Sequence, residues 1–412
     1  MTSGSDGDEE EPRPEGEGDG FNRRRMLAGA GAVAAAFATA GGIYWLRSRD
    51  ETPAESGGGT AHPGKQHLPT DAERKALDGI AAGVMKQFEV PGLSVAIARH
   101  GSIVYREAFG YANERSFERA TPASLFRIAS VSKPLTSVAV FSLIDQGKLS
   151  LFDTVFGPGG HLAGFKEAPA SVHAITIHQL LTHMSGAWGN QGIDPMFTNP
   201  EMDHPALIAW TLANVPPTAA PGRQFSYSNF GYCVLGRVIE KVSGQPYETF
   251  VREQVLARCG VTAMRIGGNR LADRAEGEVV YYGRDPGGAT SYSMNVARMD
   301  SHGGWIATAS DLVNFATHVD GFAGVPDILS AKSIRAMTET VDGSGNYACG
   351  WAVNERPNWW HNGSLPGTSA LLVRTASGLC WAALANARAE GIDGAIDRMM
   401  WQMAQAVPAW KA

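Results

Sequence analysis

The chain has 412 residues, which is enough for about two or three domains and a large hydrophobic core. Its composition, with 18% charged residues, is that of a globular protein. The net charge is −6, and eight acidic residues against four arginines in the first 40 positions account for −4 of it. The remainder is close to neutral, which excludes a basic surface for nucleic acid and leaves small molecules as the expected partners.

The segment before residue 69 differs in composition from the rest of the chain. Residues 1–25 are acidic and poor in apolar side chains, which predicts a disordered tail. Arginines at positions 23–25 lead into the Ala- and Gly-rich run 26–46, which resembles a twin-arginine export signal. Residues 47–68 have the composition of a linker, and residues 69–412 form the predicted folded domain.

The apolar run 26–46 leaves three alternatives open. It is long enough to span a bilayer, so it fits an uncleaved membrane anchor as well as a cleaved signal. A cytoplasmic tail is the third alternative. The signal and the anchor both place the folded domain outside the cytoplasm, so we expect a periplasmic or membrane-anchored protein of unspecified oligomeric state.

From Thr70 onwards, hydrophobic periodicity predicts helices between two β-rich ends. A capped helix begins at Thr70 and stops before Pro91, and a β-hairpin with its turn at His100-Gly101 follows. Further helices are predicted at residues 130–147, 176–185, 310–318 and 392–407, and C-terminal strands at 348–354, 359–363, 369–375 and 379–387. We therefore expect a mixed α/β (α+β) fold, with an antiparallel sheet built from both ends of the chain, flanking helices and a mostly helical insertion.

Ser130 and Lys133 form a Ser-x-x-Lys pair at the start of a predicted helix. Residues three apart share a helix face, so the lysine is expected beside the serine hydroxyl. A nucleophilic serine needs a neighbour that takes its proton, and a desolvated lysine can do so because its pKa falls readily. Such a tetrapeptide is also frequent by chance, so a helix start without catalytic function is the alternative.

Two later stretches contain side chains that fit the same chemistry. In Tyr227-Ser228-Asn229, a phenol near a cation can have a lowered pKa and exchange protons, and the amide can hold the lysine's charge. In His361-Asn362-Gly363-Ser364, the glycine lets a substrate lie against a strand edge, and a following N–H can complete an oxyanion hole. Taken singly, each stretch also fits a structural explanation: a hydrogen-bonded loop tyrosine, or a histidine in a hairpin.

In this order, the Ser-x-x-Lys, Tyr-x-Asn and basic-x-Gly elements resemble the serine β-lactamase and penicillin-binding-protein superfamily. Residues 180–186 and 303–308 resemble signatures of its class C branch, which includes D-Ala-D-Ala carboxypeptidases, D-aminopeptidases and esterases. The resemblance covers about residues 70–410. It implies a β-lactamase/transpeptidase-like fold, with the site between a sheet domain and a mostly helical domain and no metal or cofactor.

The resemblance also implies a function for each residue of the site. Ser130 would be the nucleophile, Lys133 the general base, and Tyr227 the proton shuttle to the leaving group. The remaining positions are implied in the same way: Asn229, His361 and Gly363 for substrate contact, and the backbone N–H groups of Ser130 and Ser364 for the oxyanion hole.

One position departs from the class C β-lactamase pattern, although some D-Ala-D-Ala carboxypeptidases of the superfamily have His-Thr-Gly there and its esterases and peptidases vary. Class C β-lactamases have Lys-Thr-Gly where this chain has His361-Asn362-Gly363. Lysine is a charged donor suited to a β-lactam carboxylate, whereas histidine, with an ordinary pKa of ~6.5, is mostly neutral at pH 7.5 and gains charge as the pH falls. We therefore expect a metal-independent serine hydrolase that cleaves an ester, or an amide or peptide of a D-amino acid, through a Ser130 acyl-enzyme. Anionic substrates should be favoured at lower pH.

Two other functions remain as alternatives to this hydrolase. The first is a class C-type β-lactamase or a D-Ala-D-Ala carboxypeptidase. The second, from another functional class, is a non-catalytic penicillin-type binding or sensor protein that uses the same pocket.

The four cysteines show no metal-binding spacing. A disulfide between Cys349 and Cys380, on neighbouring C-terminal strands, is one prediction for them. Free buried thiols, at these two positions as at Cys233 and Cys259, are the alternative.

Overall fold

The computed structural model of the chain describes Met1 and residues 67–283 and 290–410. Apart from Met1, the predicted acidic tail and the signal or anchor segment lie outside the described residues, as does the linker up to residue 66. Those assignments stay predictions. Within the described ranges, no helix combines the length and the apolar character that a membrane span requires.

Helices and strands alternate along the described chain much as the periodicity predicted. The described α-helices are α1 (Asp71–Phe88), α2 (Ser132–Asp145), α3 (Ile177–Leu181), α4 (His204–Asn214), α5 (Asn229–Ser243), α6 (Tyr247–Val251), α7 (Ala309–Thr317), α8 (Ala331–Thr338) and α9 (Ile392–Ala406). The described strands are β1 (Gly92–Arg99), β2 (Ser102–Asn113), β3 (Glu118–Arg119), β4 (Phe126–Arg127), β5 (Arg265–Ile266), β6 (Tyr282–Gly283), β7 (Trp305–Ala307), β8 (Ala352–Val353), β9 (Trp359–Leu365), β10 (Thr368–Arg374), β11 (Leu379–Ala385) and β12 (Ala387–Arg388).

Seven of these strands form one antiparallel sheet in the order β3–β2–β1–β11–β10–β9–β8. At its centre β1 pairs with β11, so that Leu93 lies opposite Ala385 and Arg99 opposite Leu379. The early hairpin and the C-terminal strands therefore supply the two halves of the sheet, and α2 to α8 are inserted between them in the sequence. The predicted mixed fold, built from both ends of the domain, is confirmed.

Helices cover both faces of this sheet, which explains why β1 is buried from Gly92 to Ala98 rather than alternating between apolar and polar. Successive side chains of a strand point to opposite faces. Val95 and Ile97 therefore enter the hydrophobic cluster that contains α1 and α9, while Ala96 enters the one that contains α2 and α7. Helix α2 lies in the same cluster as Ala96 and packs against α5. This packing brings the Ser-x-x-Lys motif at the start of α2 close to the Tyr-x-Asn motif at the start of α5.

The predicted helix at residues 176–185 is shorter in the structure, where α3 ends at Leu181. Its start is as expected, because Thr176 caps it and forms a capping box with Gln179. The early end has a backbone cause: His183 has φ +58°, a left-handed conformation that a helix cannot contain. Gly186, expected as the helix cap, also has a positive φ but lies beyond this break.

The four cysteines are free and buried. The predicted disulfide between Cys349 and Cys380 is therefore wrong, and the free-thiol alternative is the one observed. Cys349 lies before β8, which is only the pair Ala352–Val353 and not the longer strand that was predicted. Cys380 instead has its sulfur 4.0 Å from Oδ2 of Asp320.

Candidate active site

Ser130 lies in a single 3-10 turn, Ala129–Val131, immediately before α2. The α-helix therefore starts two residues later than predicted, at Ser132. Ala129 has φ +48°, a conformation that costs a non-glycine residue about 1–3 kcal/mol and persists only where the surrounding structure imposes it. The turn leaves Ser130 partly exposed, while the following turn of helix is fully buried.

Lys133 is fully buried, and its amino group has three oxygen partners. Nζ lies 3.1 Å from Oγ of Ser130, 2.8 Å from Oδ1 of Asn229 and 3.2 Å from the carbonyl oxygen of His302. Desolvation lowers the pKa of Lys133 to about 7, and the negative charge of Asp194 opposes this shift. Near pH 7, a sizeable share of the molecules therefore has a neutral Lys133 amine within reach of the Ser130 proton.

Asn229 is the first residue of α5, which Ser228 caps through a hydrogen bond from the Gly231 amide at 3.0 Å. Its Oδ1 accepts from Lys133, and its Nδ2 donates to Oδ2 of Asp194 at 2.8 Å. Both functional groups of this buried amide are thus engaged within the protein. The geometry supports the predicted function of holding the lysine's charge. Nδ2 has a second N–H, and the predicted substrate contact of Asn229 stays a prediction.

The ring of Tyr227 lies beside the serine and the lysine, as its motif predicted. Its hydroxyl is hydrogen-bonded to the Ser130 side chain, and Nζ of Lys133 lies 4.7 Å from the ring centroid. The expected lowering of its pKa is wrong, because burial raises the pKa of Tyr227 above the ordinary value despite the hydrogen bond to Ser130. Tyr227 is therefore a proton donor in the resting site, and Lys133 is the group that can act as base.

His361 is 5% exposed. Nδ1 lies 2.6 Å from the carbonyl oxygen of Asn362, and Nε2 lies 3.0 Å from the hydroxyl of Tyr347. Because a carbonyl can only accept, Nδ1 has the proton and Nε2 accepts from Tyr347. Burial and the charge of Lys133 lower the pKa of His361 to about 3. The expectation that this histidine gains charge as the pH falls through ~6.5 is therefore wrong.

Gly363 lies against the backbone that holds Ser130. A Cβ added there would stand 2.1 Å from the carbonyl oxygen of Ile128 and 3.1 Å from the amide nitrogen of Ser130. Only glycine allows β9 to approach so closely, which gives the predicted basic-x-Gly motif a physical cause. Ser364 follows on the same strand, and its function in the oxyanion hole stays a prediction.

The structure therefore brings Ser130, Lys133, Tyr227, Asn229 and the His361–Ser364 strand to one place, although they come from three distant parts of the chain. Together they offer a hydroxyl nucleophile, a lysine of lowered pKa and a neutral phenol. This set of groups can transfer an acyl group and move the proton that the reaction releases.

Besides His302, whose carbonyl contacts Lys133, four further residues of the site were missed by sequence reasoning. His183 packs on Tyr227 with ring centroids 4.2 Å apart, and its Nδ1 accepts from the Ser228 amide. His183 belongs to the Leu-Leu-Thr-His-Met-Ser-Gly segment, which was the only signal available. The other three are Asn190, Asp194 and Tyr347, which lie in loops without periodicity.

Among residues 67–283 and 290–410, no group of three or more His, Cys, Asp or Glu side chains could hold a metal ion. His183, His302 and His361 all lie near Lys133, and burial together with its charge lowers the pKa of each. These imidazoles are neutral. Burial lowers the pKa of Lys133 and raises the pKa of Asp194, and the charge of each residue opposes the shift of the other.

The chain matches the Beta-lactamase family model over residues 77–401. Penicillin-binding protein 4 of Amycolatopsis lactamdurans is 30% identical over 319 residues, which are 73% of this chain and 82% of that protein. Esterase EstB of Burkholderia gladioli is 32% identical over 198 residues, which are 45% of this chain and 49% of that protein.

A solved structure shows the same fold. The D-amino acid amidase from Ochrobactrum anthropi SV3, crystallised with L-phenylalanine amide, matches with a TM-score of 0.68. The match covers 83% of this chain and 100% of that chain, at 19% sequence identity. At this identity, the likeness concerns the fold alone.

Proposed function

The chain belongs to the Beta-lactamase family of serine hydrolases, as its motifs predicted, and we propose that it cleaves an ester or amide bond through an acyl-enzyme on Ser130. One observation carries the proposal. Oγ of Ser130 lies 3.1 Å from Nζ of Lys133, a buried amine whose pKa is lowered to about 7. A base with a pKa close to the working pH is the most effective kind.

In the proposed reaction, neutral Lys133 takes the proton of Ser130 while Oγ attacks the carbonyl carbon. The backbone N–H groups of Ser130 and Ser364 stabilise the resulting oxyanion. Tyr227 gives its proton to the leaving alcohol or amine and recovers one from Lys133. Water then attacks the acyl-enzyme, with the same groups moving its proton, and releases the acid and free Ser130.

The substrate class follows from His361. Its two nitrogens are engaged with Asn362 and Tyr347, and it is neutral at working pH, so it offers no charged donor. A charge-assisted hydrogen bond to a substrate carboxylate contributes about 1.5–3 kcal/mol, and it is missing here. We therefore favour substrates without a carboxylate beside the scissile bond, such as esters of short acids or D-amino-acid amides. The name of the similar esterase, EstB of Burkholderia gladioli, agrees with an ester substrate.

The test combines a covalent probe with three substrates. A fluorophosphonate should add one label to the intact protein, on Ser130, and none to the Ser130→Ala variant. Specificity constants should be far higher for p-nitrophenyl butyrate or a D-amino-acid amide than for nitrocefin. Nitrocefin as the best substrate would make the chain a β-lactamase, a D-alanyl-D-alanine peptide as the best would make it a carboxypeptidase, and labelling without turnover would make it a sensor.

We also propose that the protein is exported, on the basis of the arginines at 23–25 and the run 26–46. Changing all three arginines to lysine removes every register of the arginine pair and should retain the protein in the cytoplasm. Unchanged accumulation outside the cytoplasm would contradict the twin-arginine route and leave a general signal or an anchor.

A further inference from the structure

The carboxylate of Asp194 lies behind the catalytic lysine, separated from it by the amide of Asn229, and the reaction proposed above does not use it. Its Oδ2 accepts from Nδ2 of Asn229 at 2.8 Å, and its Oδ1 accepts from the amide of Met196 at 3.0 Å. The residue is 5% exposed. Burial raises the pKa of Asp194, and the two hydrogen bonds that its oxygens accept from N–H groups oppose this shift, because they favour the ionised carboxylate.

The position of Asp194 is fixed by a separate part of the chain. Arg298, in the 3-10 turn Ala297–Met299, donates to four backbone carbonyls of the loop that follows Asp194: those of Met196, Thr198, Asn199 and Met202. No carboxylate is among these hydrogen-bond partners. The guanidinium of Arg298 therefore fixes the loop that follows Asp194. Because this loop is fixed, the Asp194 carboxylate keeps its position.

We propose that Asp194 is a positioning residue for the reaction: its carboxylate turns the Asn229 oxygen toward Lys133 and supplies the negative charge that balances this lysine. The orientation follows from hydrogen-bond chemistry. Since Asp194 can only accept, it selects the Nδ2 side of the amide, and Oδ1 is left facing Nζ of Lys133 at 2.8 Å.

The charge argument rests on what else faces Lys133. Among the described residues, five titratable side chains surround it and are neutral near pH 7: His183, His302, His361, Tyr227 and Tyr232. Burial lowers the pKa of the three histidines and raises that of the two tyrosines. Arg298 is the other cation that acts on Asp194. The Asp194 carboxylate is thus the anion that opposes the desolvation of Lys133.

Asp194→Asn removes this charge with little change of shape, and the direction of the effect does not depend on how the new amide turns. If its oxygen faces Asn229, Lys133 loses only the negative charge. If its amino group faces Asn229, that amide turns over and presents a donor to Lys133, which disfavours the ammonium further. In both cases the pKa of Lys133 should fall, by about one unit or more.

Two measurements on the full chain follow the lysine. The first is NMR of protein labelled with ¹³C at the lysine ε-carbons, titrated from pH 5 to 10, with the Lys133 signal assigned by its loss in Lys133→Met. The second is the pH dependence of kcat/KM for p-nitrophenyl butyrate. The reaction needs the neutral amine, so a lower Lys133 pKa moves the acid limb of this profile to lower pH by the same amount.

Asp203→Asn is the matched control. Asp194 caps the 3-10 turn Pro195–Phe197, and Asp203 caps α4 in the same way by accepting from the Ala206 amide at 2.9 Å. Its substitution makes the same chemical change away from Lys133. We expect the NMR titration and the acid limb to move in Asp194→Asn and to stay in place in Asp203→Asn. Should near-ultraviolet circular dichroism show that Asp194→Asn does not fold, Asp194→Ser, which keeps an acceptor for the Met196 amide, takes its place with the same expected shift.

A folded Asp194 variant that loses turnover while the Lys133 titration and the acid limb stay at wild-type pH would overturn the inference. Such a result would show that Asp194 has only a structural role and does not affect the charge of Lys133. The proposed function is needed only for the kinetic readout. If the NMR shift appears in a protein that hydrolyses none of the substrates, the inference on Asp194 holds and the proposed function fails.

Discussion

The hydroxyl of Tyr347 lies 3.0 Å from Nε2 of His361, so the residue in place of the lysine of class C β-lactamases is a neutral imidazole whose two nitrogens are already engaged. Nothing in the sequence around Tyr347 indicates this contact. Because of this contact, position 361 lacks the positive charge of a lysine and also offers the substrate no free hydrogen-bond donor.

His361→Lys should restore a charged donor at this position. The ratio of kcat/KM for nitrocefin to that for p-nitrophenyl butyrate is expected to rise about ten- to a hundredfold, because a charge-assisted hydrogen bond to the nitrocefin carboxylate becomes available. His361→Asn is the control, since its amide is neutral, and its ratio should stay at the wild-type value. A ratio that does not respond to the lysine would mean that position 361 does not face the carboxylate.

The pH dependence of the wild-type enzyme should show one acid limb. Lys133 acts as base only when neutral, so kcat/KM for the uncharged p-nitrophenyl butyrate should rise with pH through about 7 and then level off. His361, with a pKa of about 3, is neutral throughout this range and should add no second limb. His361→Asn should therefore keep the wild-type limb, and a shifted limb in that variant would assign the titration to the histidine.

Lys133→Ala and Tyr227→Phe should each lower kcat/KM by about 10²-fold or more, since each removes a group that moves a proton. The double variant should lose little more than the worse single variant, because the two groups act on the same Ser130 proton. Steady-state kinetics of the four proteins measure the coupling. Losses that multiply would indicate two independent contributions instead of one unit.

Gly363→Ala should lower kcat/KM by about 10²-fold or more. The added methyl group would overlap the carbonyl of Ile128, so β9 must move away from Ser130, and a displacement of about 1 Å is enough for such a loss. Fluorophosphonate labelling of Ser130 should slow in parallel. Gly79→Ala, in α1 far from the site, serves as the control with unchanged kinetics.

Gly79 and Gly83 also allow a prediction of stability. Both lie on the exposed side of α1, and an added Cβ would meet no atom within 4 Å at either position. Because alanine loses less backbone entropy than glycine in a helix, each substitution should raise the free energy of unfolding by about 0.5–1 kcal/mol. Urea unfolding measures the change, and a destabilised variant would show that α1 bends or packs at these glycines.

Periodicity and spacing were sufficient for the architecture and for the contact between Ser130 and Lys133. The Ser-x-x-Lys spacing predicted the Ser130–Lys133 contact, because a helical turn is a local structure whose geometry depends on few residues. The hairpin around His100-Gly101 and the helix from Ile392 were predictable for the same reason.

Tertiary burial and loop geometry account for what could not be predicted. The sign of the Tyr227 pKa shift depends on desolvation by the whole domain, whereas the sequence showed only a neighbouring cation. Asp194 contacts Asn229 from a loop 35 residues earlier, and neither position has a periodic pattern to indicate it. Likewise, α3 ends early because of the left-handed backbone at His183, and a histidine in the sequence does not predict such a conformation.

The pairing of β1 with β11 sets the time at which this enzyme can become active during its synthesis. Leu93 and Ala385 are partners across 292 positions of sequence, and β9, which holds Gly363 against the serine turn, joins the sheet through β10 and β11. Contacts between such distant segments form slowly because a long loop must close first. The Ser130–Lys133 turn is translated early. However, the ribosome must synthesise nearly the whole domain before β1, which already pairs with β2, can also pair with β11. Until then the nucleophile lacks the strand that completes its site, so a chain released early should be inert and not a partial enzyme.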